Sequence, residues 1–153
     1  MTFRTLLFAA ACAVALPLSG QAAAADLCSA TVGASDAMRY DTASIAIPAS
    51  CSRFTITLRH TGKLPVTAMG HDLVVSSRAD MAGVIADGVA AGAASGYVKP
   101  GDARVVAHTR LIGGGESTSV AFPVSKLQGG GPCVFFCSFP GHAALMKGTV
   151  TIR

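Results

Sequence analysis

The chain has 153 residues, enough for one domain with a single hydrophobic core. Only 13% of the residues are charged, and the formal net charge of +4 is spread along the chain. Nucleic acid is therefore not an expected partner, because its recognition needs a basic cluster or an aromatic platform.

The first segment of the chain predicts export. Residues 1–24 combine Arg4, a short apolar stretch and a run of small residues, which is the pattern of a cleaved signal peptide. The mature domain is then residues 25–153, located in the periplasm, and no later segment is long enough to span a membrane. A weaker alternative is lipoprotein processing at Cys12, although Ala9 stands where that signal usually has leucine.

Four cysteines remain in the predicted mature domain. Export implies an oxidising compartment, so Cys28 and Cys51 are natural disulfide partners. A bridge closing a loop of this size stabilises a fold by roughly 3 kcal/mol on the chain-entropy model. Cys137 belongs to a motif described below, which leaves Cys133 as a free thiol.

The pattern of apolar residues predicts mainly strands. Residues 53–60 alternate cleanly, with Phe54, Ile56 and Leu58 on one face. Further strands are predicted at residues 29–35, 43–50, 71–77, 103–108, 117–124, 133–139 and 147–153. About eight short strands favour an all-β fold, an antiparallel β-sandwich or barrel of Greek-key type.

One segment changes period and predicts an inserted helix. Over residues 79–91 the apolar side chains Met81, Val84, Ile85 and Val89 recur at helical spacing, which predicts that they face the core. Gly92 follows as a plausible end of the helix.

The segment CSFPGHAALM contains the most informative motif. It places Cys137, His142 and Met146 at the spacing C-x4-H-x3-M, and His71 is an upstream candidate for a second imidazole. A thiolate, two imidazoles and a thioether form the ligand set of a blue-copper electron-transfer site. The alternative is structural: a buried thiol, a surface histidine and a methionine that fills the core.

Four segments carry a family resemblance: LPVTAMGHDLV, ADMAGVIADG, RVVAHTRLIGGGES and FFCSFPGHAALMKGTVTI. They resemble the azurins, bacterial members of the cupredoxin family. The resemblance implies one copper ion cycling between Cu(I) and Cu(II). It implies His71, Cys137 and His142 in a trigonal plane, with Met146 as a weak axial ligand and the Gly70 carbonyl opposite it.

The resemblance also implies a surface for electron transfer around the edge of His142. This apolar patch would consist of Met38, Leu64, Met69, Phe139, Pro140 and Ala144. The implied partners are redox proteins that bind transiently, such as c-type cytochromes or periplasmic reductases, and the protein is expected to be a monomer.

The chain departs from the azurins at three positions. Asp72 replaces a usual asparagine, Leu73 stands where the best-known azurins have a buried tryptophan, and Cys133 replaces a frequent tyrosine. His60 ends a predicted strand, and two interpretations of it stay open: a buried, hydrogen-bonded imidazole or a pH-sensitive switch.

The predicted function is that of a periplasmic one-electron carrier and not an enzyme. Copper enzymes such as multicopper oxidases need further clustered histidines, which the chain lacks. The alternative is a copper-binding module for metal delivery or tolerance, but such a protein favours an open site over a closed set of four ligands.

Overall fold

The computed structural model describes residue 1, residues 27–129 and residues 131–153. The predicted signal peptide lies outside these residues except for Met1, as does the start of the mature domain. No helix in the described part of the chain is long and apolar enough to cross a membrane.

Two β-sheets form the body of the protein. The four-stranded sheet has the order β2-β1-β4-β7 and the five-stranded sheet the order β3-β9-β8-β5-β6. In chain order, the strands are β1 (Ser29–Ser35), β2 (Arg39–Tyr40), β3 (Ser44–Ile47), β4 (Arg53–His60), β5 (Val74–Ser77), β6 (Val105–His108), β7 (Ser117–Pro123), β8 (Cys133–Phe136) and β9 (Lys147–Ile152).

The predicted β-sandwich is confirmed, with two differences in detail. The pairings β1–β4 and β3–β9 are parallel, while the other pairings are antiparallel. A parallel β1–β4 pair is possible because the chain leaves for the opposite sheet at β3 before it returns. The two-residue strand β2 was not predicted, since two residues are too few to show an alternation.

The core lies between the two sheets and follows from the alternation of β4. Phe54, Ile56 and Leu58 are fully buried, as period-two strand geometry requires. They belong to one cluster with Phe135 of β8. Full burial of a side chain of this size stabilises the fold by about 1.5–3 kcal/mol.

Within the described residues, two α-helices connect strands. The predicted helix is present as α2 (Met81–Ala91) and ends at Gly92, whose φ of 79° favours glycine. Val84 is buried against the five-stranded sheet in a second apolar cluster. A one-turn helix α1 (Val66–Met69) was not predicted.

The prediction that Val89 faces the core is wrong, because its side chain is 45% exposed. In that turn Gly88 is the buried residue. A Cβ on Gly88 would lie only 2.1 Å from the Tyr97 carbonyl oxygen, so this close approach of two backbones leaves Val89 outside.

The two ends of the sandwich differ. The predicted disulfide between Cys28 and Cys51 closes one end, which we call the disulfide end. Strand β4 begins there, since the Thr55 amide donates to the Cys28 carbonyl. It finishes about 23 Å away at His60, where the predicted metal ligands lie.

Candidate metal centre

Three predicted ligands meet at the end of the sandwich opposite the disulfide. Cys137 follows β8, His142 begins a single 3₁₀ turn, and His71 lies between α1 and β5. Their ligand atoms all lie within 4.8 Å of one another, and all three residues are buried. The Cys137 Sγ is 3.9 Å from the Nδ1 of His71 and 3.7 Å from the Nδ1 of His142.

The loop between β8 and β9 is held by its own backbone. The Cys137 amide donates to the Met146 carbonyl at 3.0 Å, and the Met146 amide donates to the His142 carbonyl at 2.8 Å. Gly141 precedes the 3₁₀ turn with a φ of 84°, a conformation that favours glycine. Met146 is fully buried in the same apolar cluster as Cys137.

Hydrogen bonding gives His71 a defined tautomer. Its Nε2 lies 2.9 Å from the Ser35 carbonyl oxygen, which can only accept, so Nε2 carries the hydrogen and Nδ1 keeps a lone pair toward Cys137. Burial lowers the pKa of His71 to about 4, so the ring is neutral at neutral pH. Two bonds of 2.9 Å between the backbones of His71 and Ile112 hold the segment in place.

Gly70 brings a carbonyl group close to the same centre. Its oxygen lies 3.9 Å from the Cys137 Sγ. A side chain would not fit here, because an added Cβ would lie 2.5 Å from the Val66 carbonyl oxygen. Glycine therefore permits this close packing of the backbone because it has no side chain.

Asp72 joins the two segments that carry the candidate ligands. Its carboxylate accepts the Ser138 amide at 2.7 Å and the Ser138 hydroxyl at 2.5 Å. Tyr40 donates its hydroxyl to the Asp72 carbonyl at 2.5 Å. Burial raises the pKa of the Asp72 carboxyl to about 6, against the opposing effect of the bonds from Ser138.

His60 is a buried, hydrogen-bonded imidazole in the described structure. The Gly62 amide donates to its Nδ1, so its Nε2 carries the hydrogen and donates to the Met69 carbonyl at 2.8 Å. Its ring stacks on that of His71 with centroids 4.4 Å apart. The sequence did not predict this contact, which supports one face of a candidate ligand.

The donor set fits copper. It consists of a thiol sulfur and two imidazole nitrogens, which suit a soft monovalent copper ion and also bind the divalent ion. Burial raises the pKa of the Cys137 thiol well above its usual value, so a bound cation is needed to keep the thiolate form at neutral pH. Burial also lowers the pKa of His142, which favours the neutral ring that binds metal.

Comparison with known proteins agrees with this donor set. The family model for copper-binding proteins of the plastocyanin/azurin family matches residues 27–153. The chain belongs to the plastocyanin/azurin family.

Its relatives include several azurins. The chain is 52% identical over 126 residues to the azurin of Pseudomonas fluorescens biotype C, covering 82% of this chain and 98% of the relative. It is 52% identical over 126 residues to the azurin of Pseudomonas aeruginosa, covering 82% and 85%. It is 52% identical over 125 residues to the azurin of Bordetella pertussis, covering 82% and 83%.

Family membership confirms the resemblance found in the sequence and identifies copper as the cofactor. The family and the group of His71, Cys137 and His142 together support a blue-copper protein that carries electrons. Cys133, at the start of the strand that Cys137 follows, lies outside this group and is a buried free thiol.

The residues of the predicted apolar patch are all at least partly accessible. Met38, Met69 and Phe139 are half-buried, while Leu64, Pro140 and Ala144 are exposed. The Phe139 ring lies 4.5 Å from that of His142 between centroids. The exposure of Leu145 was not predicted from the sequence. Its side chain is 61% exposed, whereas an apolar residue beside a ligand is expected in the core.

Proposed function

We propose that this protein is a one-electron carrier of the bacterial periplasm and not an enzyme. The observation that carries the proposal is the buried group of one thiol and two imidazoles in a member of a copper-binding family. Copper bound there supplies a one-electron couple between Cu(I) and Cu(II).

His71, Cys137 and His142 are the proposed principal ligands, with Met146 and the Gly70 carbonyl as weak ones. Backbone hydrogen bonds fix the ligand loop, and the bond from His71 to Ser35 fixes one ring. Ligands held in this way need little movement when the charge of the metal changes. This restraint suits rapid electron exchange better than release of the metal.

The proposed route for electrons is the edge of His142. This residue is nearly buried, yet it contacts Phe139 of the apolar patch. A small apolar contact allows a partner to bind briefly and to separate, as electron-transfer encounters require. The proposed partners are redox proteins such as c-type cytochromes or periplasmic reductases, which meet this carrier as a monomer.

Export through a cleaved signal peptide supports the periplasmic location. Residues 1–24 have the composition of such a peptide. The disulfide between Cys28 and Cys51 fits an oxidising compartment. Mass spectrometry of protein from a periplasmic extract should give a mature chain of residues 25–153, whereas a lipid-modified chain beginning at Cys12 would contradict this cleavage.

The central test has two parts. Cu(II) added to the apoprotein should produce an intense visible band from thiolate-to-copper charge transfer, and a pale complex would contradict the blue site. Mixtures of the Cu(I) and Cu(II) forms should then show electron self-exchange as broadening of NMR signals. Rapid loss of copper to a mild chelator would favour the alternative of metal delivery.

The apolar patch is tested by a matched pair of variants. Leu64 is 42% exposed in the patch, and Ile152 is 39% exposed at the far end of β9, about 16 Å along that strand from Lys147. Leu64→Lys should slow self-exchange because it adds charge to the contact that must be desolvated. Ile152→Lys should leave the rate near that of the parent, and equal slowing in both variants would contradict the proposed route.

A further inference from the structure

Lys147 lies between two grooves on the surface. The first groove, of about 330 Å³, is lined by residues that include Arg39, Asp41, Leu145 and Lys147. The second, of about 230 Å³, is lined in part by Arg78 and shares Lys147. We call the first one the basic groove, because two of its side chains are cationic and Asp41 is its one carboxylate.

The basic groove borders the candidate copper centre. Leu145 and Lys147 flank Met146, one of the proposed ligands. The groove is also lined by Arg39, which directly follows Met38 of the apolar patch, and by Tyr40, which donates a hydrogen bond to the Asp72 backbone. A partner that covers the apolar patch therefore has this groove beside it.

Among the described residues, the cations of the groove make no ion pair. The ion pairs made by lysine or arginine in the described residues use Lys99, Arg104 and Arg110. None of them uses Arg39, Lys147 or the neighbouring Arg78, and all three of these residues are exposed. Their positive charges are consequently available to a partner that approaches this face.

We propose that the basic groove is a second docking surface, which binds an acidic surface of the redox partner while the apolar patch contacts the electron-transfer site. This inference rests on the proposed function and specifies the charge of the partner. A carboxylate of the partner would pair with Arg39 or Lys147, and exposed Leu145 supplies an apolar contact in the same groove. Complementary charge speeds diffusional encounter and sets orientation, and it fits a transient complex because rim charges add little to lifetime.

A second copy of the chain is a poorer occupant than an acidic partner. Two basic grooves that face each other would bring Arg39 and Lys147 of both copies together, and like charges at a contact are unfavourable. A protein with an acidic surface gains attraction from the same side chains. The groove thus favours partners of opposite charge over self-association.

The test is an NMR titration of the full mature Cu(I) protein, labelled with ¹⁵N, with an octaglutamate peptide. At about 0.01 M salt the Debye length is about 30 Å, so surface charges are weakly screened. We expect shifts of the amide signals of Arg39, Asp41, Leu145 and Lys147. Shifts confined to another face, or none, would overturn the proposal.

Matched charge-reversal variants distinguish peptide binding at the groove from a general effect of net charge. Arg39→Glu combined with Lys147→Glu should weaken peptide binding by at least about tenfold. Arg53→Glu combined with Lys126→Glu makes the same change of net charge with exposed residues of the disulfide end, and should alter binding less than about twofold. Equal weakening in both variants would show that binding follows net charge alone, which would overturn the groove.

Two controls complete the design. Shifts that depend on protein concentration without peptide would indicate a second copy in the groove and would overturn the acidic partner. The second control is the self-exchange test, because the titration measures binding and not electron transfer. A protein that binds the peptide but fails the self-exchange test would contradict the proposed function, whereas normal self-exchange without binding contradicts the groove alone.

Discussion

The two ends of strand β8 carry the same side chain in different surroundings. Cys133 begins the strand and Cys137 follows it, and both thiols are free and buried. The Cys137 Sγ faces the imidazoles of His71 and His142. The Cys133 Sγ is 3.7 Å from each of two backbone carbonyl oxygens, those of Leu127 and Gly131.

The difference shows that the groups supplied by neighbouring loops, and not burial of the cysteine, decide whether its sulfur lies in a possible metal site. At Cys137 two segments, one with Gly70 and His71 and the other with His142, deliver nitrogen and oxygen atoms to within 4 Å of the sulfur. At Cys133 the neighbours are carbonyl groups, which do not help a thiol to ionise. Burial then raises the pKa of Cys133 without any compensating group.

The largest effect is expected when each of the two cysteines is replaced by serine and the two variants are compared. Cys137→Ser should abolish the intense visible band of the copper protein, because a hydroxyl cannot provide the thiolate donor. Cys133→Ser should retain the full band. A visible spectrum of each variant after Cu(II) addition is sufficient, and a surviving blue band in Cys137→Ser would refute the ligand assignment.

The next largest effect is expected at Asp72, which accepts hydrogen bonds at the Cys137 end of β8. Asp72→Ala removes the acceptor of two bonds from Ser138, so we expect the apoprotein to lose about 1–3 kcal/mol of unfolding free energy. Asp72→Asn should lose less, since its amide oxygen still accepts the backbone bond. Urea unfolding gives both values, and the exposed Asp41→Ala serves as a control that should change by less than about 0.5 kcal/mol.

A smaller effect concerns Met146, the proposed weak ligand. Met146→Leu should keep the blue band but raise the reduction potential, because loss of a weak thioether donor would favour Cu(I). A tenfold stronger preference for Cu(I) equals about 59 mV for one electron, which sets the expected scale. Met81→Leu, at a methionine on α2, should leave the potential unchanged in voltammetry; equal potentials in both variants would show that Met146 is not a ligand.

The smallest effect is expected at Cys133. Its side chain is 7% exposed and its thiol has a raised pKa, so oxidants should reach it slowly. The parent and Cys133→Ser should therefore both run as monomers on a non-reducing gel after oxidant treatment. Covalent dimers in the parent alone would show that this end of β8 opens to solvent.

Much of the fold could be predicted because its signals are local. The alternation of β4 and the helical spacing of α2 are both visible in short windows of sequence. The parallel pairing of β1 with β4 has no such signal, because the order of strands depends on contacts between distant segments. The one-turn helix α1 is likewise too short to show a period.

The site divides in the same way. Cys137, His142 and Met146 were predictable because one loop carries all of them at a fixed spacing. The Ser35 carbonyl that orients His71 was not, since every residue has a backbone carbonyl and no residue type reveals its use. The stacking of His60 on His71 also depends on tertiary packing, although the histidine itself was noticed.

The central position of β9 has a consequence for when the protein can fold. This last strand pairs with β3 on one side and β8 on the other, so the five-stranded sheet is incomplete until Ile152 has left the ribosome. Contacts between residues so far apart form late, because closing a long loop costs entropy before any pairing is gained.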